Sequence, residues 1–135
     1  MSPLIALITL LAVLLMSGCM FAVGRARARH GIQAPATTGH PDFERVYRAQ
    51  MNTLEASVMF LPALWVAGGY GDAAWAAGFG AVWLVGRVWY AVAYAKAAKR
   101  RGPGFFIALL ALAALLVQGG WAVVAALLGG ATPGA

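Results

Sequence analysis

Charge is scarce in this sequence, and negative charge is scarcer still. Of its 135 residues, 10% are Asp, Glu, Lys or Arg, and only four of these are acids. A soluble domain carries about 25% charged residues, and a particle this small leaves much of its surface in water. A water-soluble enzyme is therefore a poor fit. The one cysteine, Cys19, excludes an intrachain disulfide and any cysteine-rich metal centre. The two histidines, His30 and His40, stand alone without the spacing of a ligand pair, so no metal is expected. No recognised nucleic-acid motif accompanies the basic residues, which argues against a nucleic-acid partner.

What the sequence has in abundance is apolar surface. Apolar residues make up 62% of the chain, and the mean hydropathy is +0.78. Four runs stand out, and the helices expected from them cover about 3–29, 42–70, 73–100 and 103–129. Each run reaches the ~20 residues that a membrane span requires, so together they use roughly 80 positions. The fold class expected is all-α, an integral membrane bundle of four helices forming a single domain over residues 1–135. The tail Gly129–Ala135 is too short to be a domain.

The connections differ in charge. The first holds Arg25, Arg27 and Arg29 and then Pro35, Thr37, Thr38, Gly39 and Pro41. The second, Gly68 to Asp72, has no Lys or Arg. The third holds Lys96, Lys99, Arg100 and Arg101 before Gly102-Pro103-Gly104, a helix stop. Basic residues remain on the cytoplasmic side, so loops one and three are expected there, with both termini outside. Met16-Ser17-Gly18-Cys19 resembles a lipoprotein cleavage box. However, no positive charge precedes the run, and it continues through Val23, so Cys19 reads as a packing residue of the first helix. The five tryptophans, Trp65, Trp75, Trp83, Trp89 and Trp121, are expected to be lipid-facing or interfacial.

The informative residues are polar ones at membrane depth. At 100° per residue, Arg45, Arg48, Asn52 and Glu55 fall at about 60°, 0°, 40° and −20° and form one stripe. Arg87, Tyr90, Tyr94 and Arg101 form a second, at about 0°, −60°, −20° and −40°. An ionisable group in a membrane costs about 2.5–3.5 kcal/mol on insertion scales, so it faces a bundle interior or a cavity. If the chain folds back near residue 71, Glu55 lies level with Arg87, Asn52 with Tyr90 and Arg48 with Tyr94. Glu55–Arg87 is the expected ion pair, and by itself it would only lock two helices together. Arg48, Arg101 and Arg27 exceed the available acids, which leaves a cationic pocket suited to a small hydrogen-bonding anion, in which Glu55 could hold an ammonium. Gln50 lies about 200° around its helix from Arg48. If both serve one site, neighbouring subunits share it, which implies an oligomer. Arg25 and Arg29 face away from Arg27 and read as solvated anchors.

The run Phe43-Glu44-Arg45-Val46-Tyr47-Arg48-Ala49-Gln50-Met51-Asn52-Thr53-Leu54-Glu55 resembles the MAPEG superfamily, membrane-associated proteins of eicosanoid and glutathione metabolism. The similarity is greatest to its leukotriene-C synthase and microsomal glutathione transferase branch. Thr37-Thr38-Gly39 before the run, Leu64 to Gly68 after it, and Arg87, Tyr90, Tyr94 and Arg101 extend the likeness over residues 25–101. The resemblance implies a homotrimer that holds glutathione, as cosubstrate, between neighbouring subunits. It implies that Arg27, Arg48, Gln50, Asn52, Glu55, Tyr90 and Tyr94 bind the tripeptide. Arg101 would face the sulfur as the catalytic residue, favouring a thiolate that attacks a hydrophobic electrophile arriving from the lipid. Ala56 and Ala28 stand where the leukotriene-C synthases have a tyrosine and an arginine, and the family's proline after the glutamate appears only at Pro62. General conjugation of hydrophobic electrophiles, or reduction of lipid hydroperoxides, is thus expected rather than leukotriene synthesis. The Ala- and Gly-rich composition suggests a bacterial inner membrane. The rival readings are a non-catalytic MAPEG-like lipid-binding or scaffold protein and a small four-helix drug exporter. An exporter would need an unpaired embedded acid, and a scaffold would not need the full polar set.

Overall fold

The computed structural model describes residues 1–130; the end of the tail, 131–135, lies outside the described residues. Four long α-helices make up the fold: α1 (Pro3–His30), α2 (Pro41–Tyr70), α3 (Ala73–Lys96) and α4 (Gly102–Gly129). Each has a legible start. Ser2, His40 and Asp72 cap α1, α2 and α3 by accepting backbone N–H groups of Leu4, Asp42 and Trp75, donors that a helix start otherwise leaves without partners. Proline stands in the first turn of α1, α2 and α4, where its missing N–H costs nothing. The expected continuous helix to residue 100 breaks earlier. Ala97 adopts an extended backbone, and a single 3-10 turn, Ala98–Arg100, leads into α4.

Helices α1, α3 and α4 are each long and apolar enough to cross a membrane by length and composition. That pattern supports a membrane protein. The 30-residue α2 carries the polar residues and is the most amphipathic of the four. It packs against all three other helices, and α1 lies against α2 and α3. The core follows the spacing of a helix ridge: Thr53, Ser57, Phe60, Leu64 and Ala67 of α2 are buried, three and four residues apart. Across from them lie Ile5, Ile8 and Ala12 of α1, Trp83 of α3 and Leu115 of α4.

Trp83 is not the lipid-facing residue expected. It is 1% exposed and stacks on Phe60 with ring centroids 3.8 Å apart and planes 2° apart, because the small residues Ala76, Ala77, Gly80 and Gly86 put its face of α3 against the core. Trp75, Trp89 and Trp121 remain on the surface, and Trp65 donates its indole N–H to Thr9 Oγ1 at 3.0 Å.

Helices α3 and α4 cross at two glycines. A Cβ on Gly104 would lie 2.5 Å from the Tyr90 nitrogen and 2.6 Å from the Gly86 oxygen, and one on Gly86 would lie 2.8 Å from the Ala108 nitrogen. The two backbones therefore touch where no side chain fits. The crossing lies next to the start of α4, and so it sets Arg101 against the last turns of α3.

Candidate functional site

The buried ridge of α2 decides which polar residues meet. Thr53 sits on the ridge and Asn52 beside it, so both face α3. Glu55 is about 200° around from Thr53 and lies exposed on this chain. The expected Glu55–Arg87 pair is accordingly not formed. Arg87, 1% exposed, donates from Nη2 to Asn52 Oδ1 at 3.0 Å and to Thr53 Oγ1 at 2.9 Å. The pairing is thus slipped by nearly a turn from the depth match. The only ion pair among the described residues is Arg45 with Asp42.

Arg87 is thus a buried cation held by neutral oxygens and an aromatic face. Its guanidinium carbon stands 4.1 Å from the Tyr90 ring centroid, within range for cation–π attraction. Its Nε has no hydrogen-bond partner among the described residues. Because Asn52 Oδ1 accepts from Arg87, the NH2 group of the Asn52 amide is left as a donor.

That amide opens into a cavity of about 420 Å³ between α2, α3 and the start of α4. Arg48, Asn52, Tyr90, Tyr94, Arg101 and Phe105 line it, together with Gly102. The volume lies within the roughly 300–1,000 Å³ usual for small-molecule sites. Tyr90 and Tyr94 lie with ring centroids 5.5 Å apart. Arg101 sits over Tyr94, 5.3 Å from the ring centroid, and donates a long 3.5 Å hydrogen bond to its hydroxyl. Among the described residues no acid lines the cavity, and neither Arg48 nor Arg101 has an ion-pair partner. Two cations, two hydroxyls and an amide donor thus converge without neutralisation, an arrangement that attracts an anion with several hydrogen-bonding groups.

The other expected residues lie elsewhere on this chain. Gln50 is half-buried and does not line the cavity. Arg27 donates to the Ala36 carbonyl at 2.7 Å and stands 4.9 Å from the Phe43 ring centroid. Arg45 leaves the stripe and donates to the Ala95 carbonyl at 3.3 Å. Phe105 and Thr53 were not anticipated. Phe105 follows the helix stop within a generic apolar run, whereas Thr53, a hydroxyl one residue beyond Asn52 at membrane depth, was a readable signal. The histidines are not solitary: their rings stack at 3.9 Å, and His40 Nδ1 accepts from the Asp42 backbone N–H at 3.1 Å. Ligand-capable atoms of His30, His40 and Asp42 come within 4.8 Å of one another. Arg25, Arg29, Arg45 and Lys96 line one cavity with His30 and Asp42 and disfavour a cation there.

The sequence pattern of the MAPEG family matches residues 5–121. The chain belongs to the MAPEG family. Individual relatives agree. Human microsomal glutathione S-transferase 2 is 40% identical over 118 residues, covering 87% of this chain and 80% of its own length. Guinea pig leukotriene C4 synthase (Cavia porcellus) is 45% identical over 113 residues, covering 84% and 75%. An uncharacterized protein of the cyanobacterium Synechocystis sp. is 51% identical over 112 residues, covering 83% and 82%. The MAPEG match spans α1 to α4 and so includes every residue of the cavity. These likenesses support a glutathione-related membrane transferase.

Proposed function

We propose that this MAPEG protein conjugates glutathione to hydrophobic electrophiles dissolved in the membrane. The observation that carries this reading is the acid-free cavity in which Arg48, Asn52, Tyr90, Tyr94 and Arg101 converge. Glutathione offers two carboxylates, an ammonium, two amides and a thiol. Arg48 would hold a carboxylate, the Asn52 amide would donate to a peptide carbonyl or carboxylate oxygen, and Tyr90 and Tyr94 would fix the backbone. Glu55, on the Arg48 side of α2 but outside the lining of this cavity, would hold the ammonium beyond its edge.

Arg101 would carry the chemistry. A free thiol has a pKa near 8.5, so it is mostly protonated at neutral pH, and an adjacent arginine lowers that value. The thiolate sulfur attacks the electrophilic carbon, the leaving group departs with the bonding pair, and the thiol proton goes to water. The same thiolate would attack the terminal oxygen of a lipid hydroperoxide, breaking the O–O bond to release the lipid alcohol and leave a sulfenic acid, which a second glutathione converts to the disulfide and water. The relatives named for glutathione transfer support the substrate, and the apolar helices support delivery of the electrophile from lipid.

The assembly we propose is a homotrimer in which the partner subunit's Arg27 and the partner subunit's Gln50 complete the site. The opposite placement of Gln50 and Arg48 around α2 supports it. We place the protein in a bacterial inner membrane with loops one and three cytoplasmic, where glutathione is available, and assign it a detoxifying role. The test is conjugation of glutathione to a chlorinated dinitrobenzene by the detergent-purified protein. Turnover in the wild type that vanishes in Arg101→Ala is expected. A wild type that neither binds nor turns over glutathione overturns the proposal.

A further inference from the structure

A second cationic cavity, sharing no residue with the one just described, lies between the ends of α1 and α3 and the start of α2. It holds about 520 Å³, and four cations from three helices meet there: Arg25 and Arg29 of α1, Arg45 of α2 and Lys96 of α3. One acid, Asp42, faces them and pairs with Arg45. Arg25, Arg29 and Lys96 have no ion-pair partner among the described residues. Headgroup anchors that merely mark topology would spread around the helix ends, whereas these converge.

What lies deeper on the same seam gives the cavity its meaning. Helices α1 and α3 run side by side in the same direction and end together. Further in, between the same two helices, is a groove of about 660 Å³ lined only by apolar side chains, among them Leu11, Leu15, Val85, Val88, Trp89 and Val92. Residues 11, 15, 18, 22, 25 and 29 of α1 are spaced four and three apart, so groove and cavity share one helix face. Gly18 lies between them, and a Cβ there would meet nothing within 4 Å. The seam is thus open from a cationic mouth to an apolar floor. From Lys96 to Trp89 it descends about 10 Å, within the ~15 Å hydrocarbon depth of one leaflet.

We propose that the α1–α3 seam is a binding site for one anionic phospholipid, with its phosphodiester between Arg25, Arg29 and Lys96 and an acyl chain along the groove beside Trp89. Charge complementarity selects the occupant. Arginine forks match phosphate oxygens two at a time, and the groove beneath accepts only hydrocarbon. A zwitterionic lipid would bring an ammonium into a mouth that already carries excess positive charge, and a soluble phosphate would leave the groove unfilled.

The test is native mass spectrometry of the full chain released from mixed micelles of phosphatidylglycerol and phosphatidylcholine. The wild type is expected to retain phosphatidylglycerol preferentially. The double variant Arg25→Gln/Arg29→Gln should lose about tenfold or more of that retention, because each basic residue near an anionic surface contributes appreciably to its attraction. Lys99→Gln/Arg100→Gln removes the same charge outside the cavity and should change retention less than twofold, since charges beyond a screening length act weakly. Val88→Trp fills the groove without altering charge and should also expel the lipid. Equal retention of both lipids by the wild type, equal losses in the two double variants, or displacement by glycerol phosphate overturns the proposal. So does a change in the number of copies per particle on filling the groove, which would mean that a second chain covers it.

Discussion

Replacing Gly104 with alanine puts a methyl group between two backbones. The added carbon would lie 2.5 Å from the Tyr90 nitrogen and 2.6 Å from the Gly86 oxygen, where ordinary contact begins near 3.4 Å. Both obstructing atoms belong to a helix ladder, so no side chain can rotate aside. Helix α4 must lift from α3 by roughly an ångström, and overpacking of this kind costs about 1–3 kcal/mol. The displaced end of α4 carries Arg101, and a misplacement of about 1 Å near a reacting group can cost on the order of 100-fold in rate. Thermal unfolding in detergent should thus show a lowered midpoint, and conjugation should fall far more than glutathione binding. Gly120→Ala on the same helix is the control. Nothing lies within 4 Å of its added carbon, and alanine is favoured over glycine in a helix by about 0.5–1 kcal/mol, so its midpoint should hold or rise. A Gly104→Ala protein with wild-type midpoint and turnover would refute the reasoning.

The site supports three further expectations. Arg101→Ala should leave a residual conjugation rate that climbs with pH toward the free-thiol value near 8.5, whereas the wild type flattens at lower pH; parallel profiles would remove Arg101 from thiolate stabilisation. Arg87→Met strands the Asn52 and Thr53 oxygens, at about 1–3 kcal/mol each, and frees the Asn52 amide to turn, so KM for glutathione should rise more than kcat falls. An unchanged KM would mean that Arg87 does not orient Asn52. Trp83→Ala should lower stability by about 3–5 kcal/mol, and Trp121→Ala, at a side chain 80% exposed, by less than about 0.5 kcal/mol; comparable unfolding midpoints would contradict the stacked core.

The helices were legible because apolar runs and Gly-Pro stops are local signals. Arg48, Asn52, Tyr90, Tyr94 and Arg101 share one cavity because helical phase carries through to the folded chain. Equal depth alone does not select side-chain partners. The partner of Arg87 depended on how α2 and α3 are rotated and slipped against each other, and that follows from the ridge through Thr53, Ser57 and Phe60, which the polar stripe alone does not locate. Trp83 departs from the expected lipid-facing position for a related reason. Composition says that an indole suits a membrane interface, but the small residues around it on α3 put it against Phe60. Convergence of Arg25, Arg29, Arg45 and Lys96 required three helix ends at once, and no single stretch of sequence encodes that.

The connector between α3 and α4 spans residues 97–101, and its brevity makes it a ruler. A residue removed or added there must be taken up by the extended Ala97, the 3-10 turn or Arg101 itself, because the glycine crossing just beyond holds α4 against α3. Arg101, the last residue of the connector, would shift against the cavity in the same move. The loop between α1 and α2, residues 31–40, sets no such register and can absorb a change in length. Side chains in the α3–α4 connector are therefore more replaceable than its length, and an insertion there would act like an active-site mutation without altering any residue that touches the ligand.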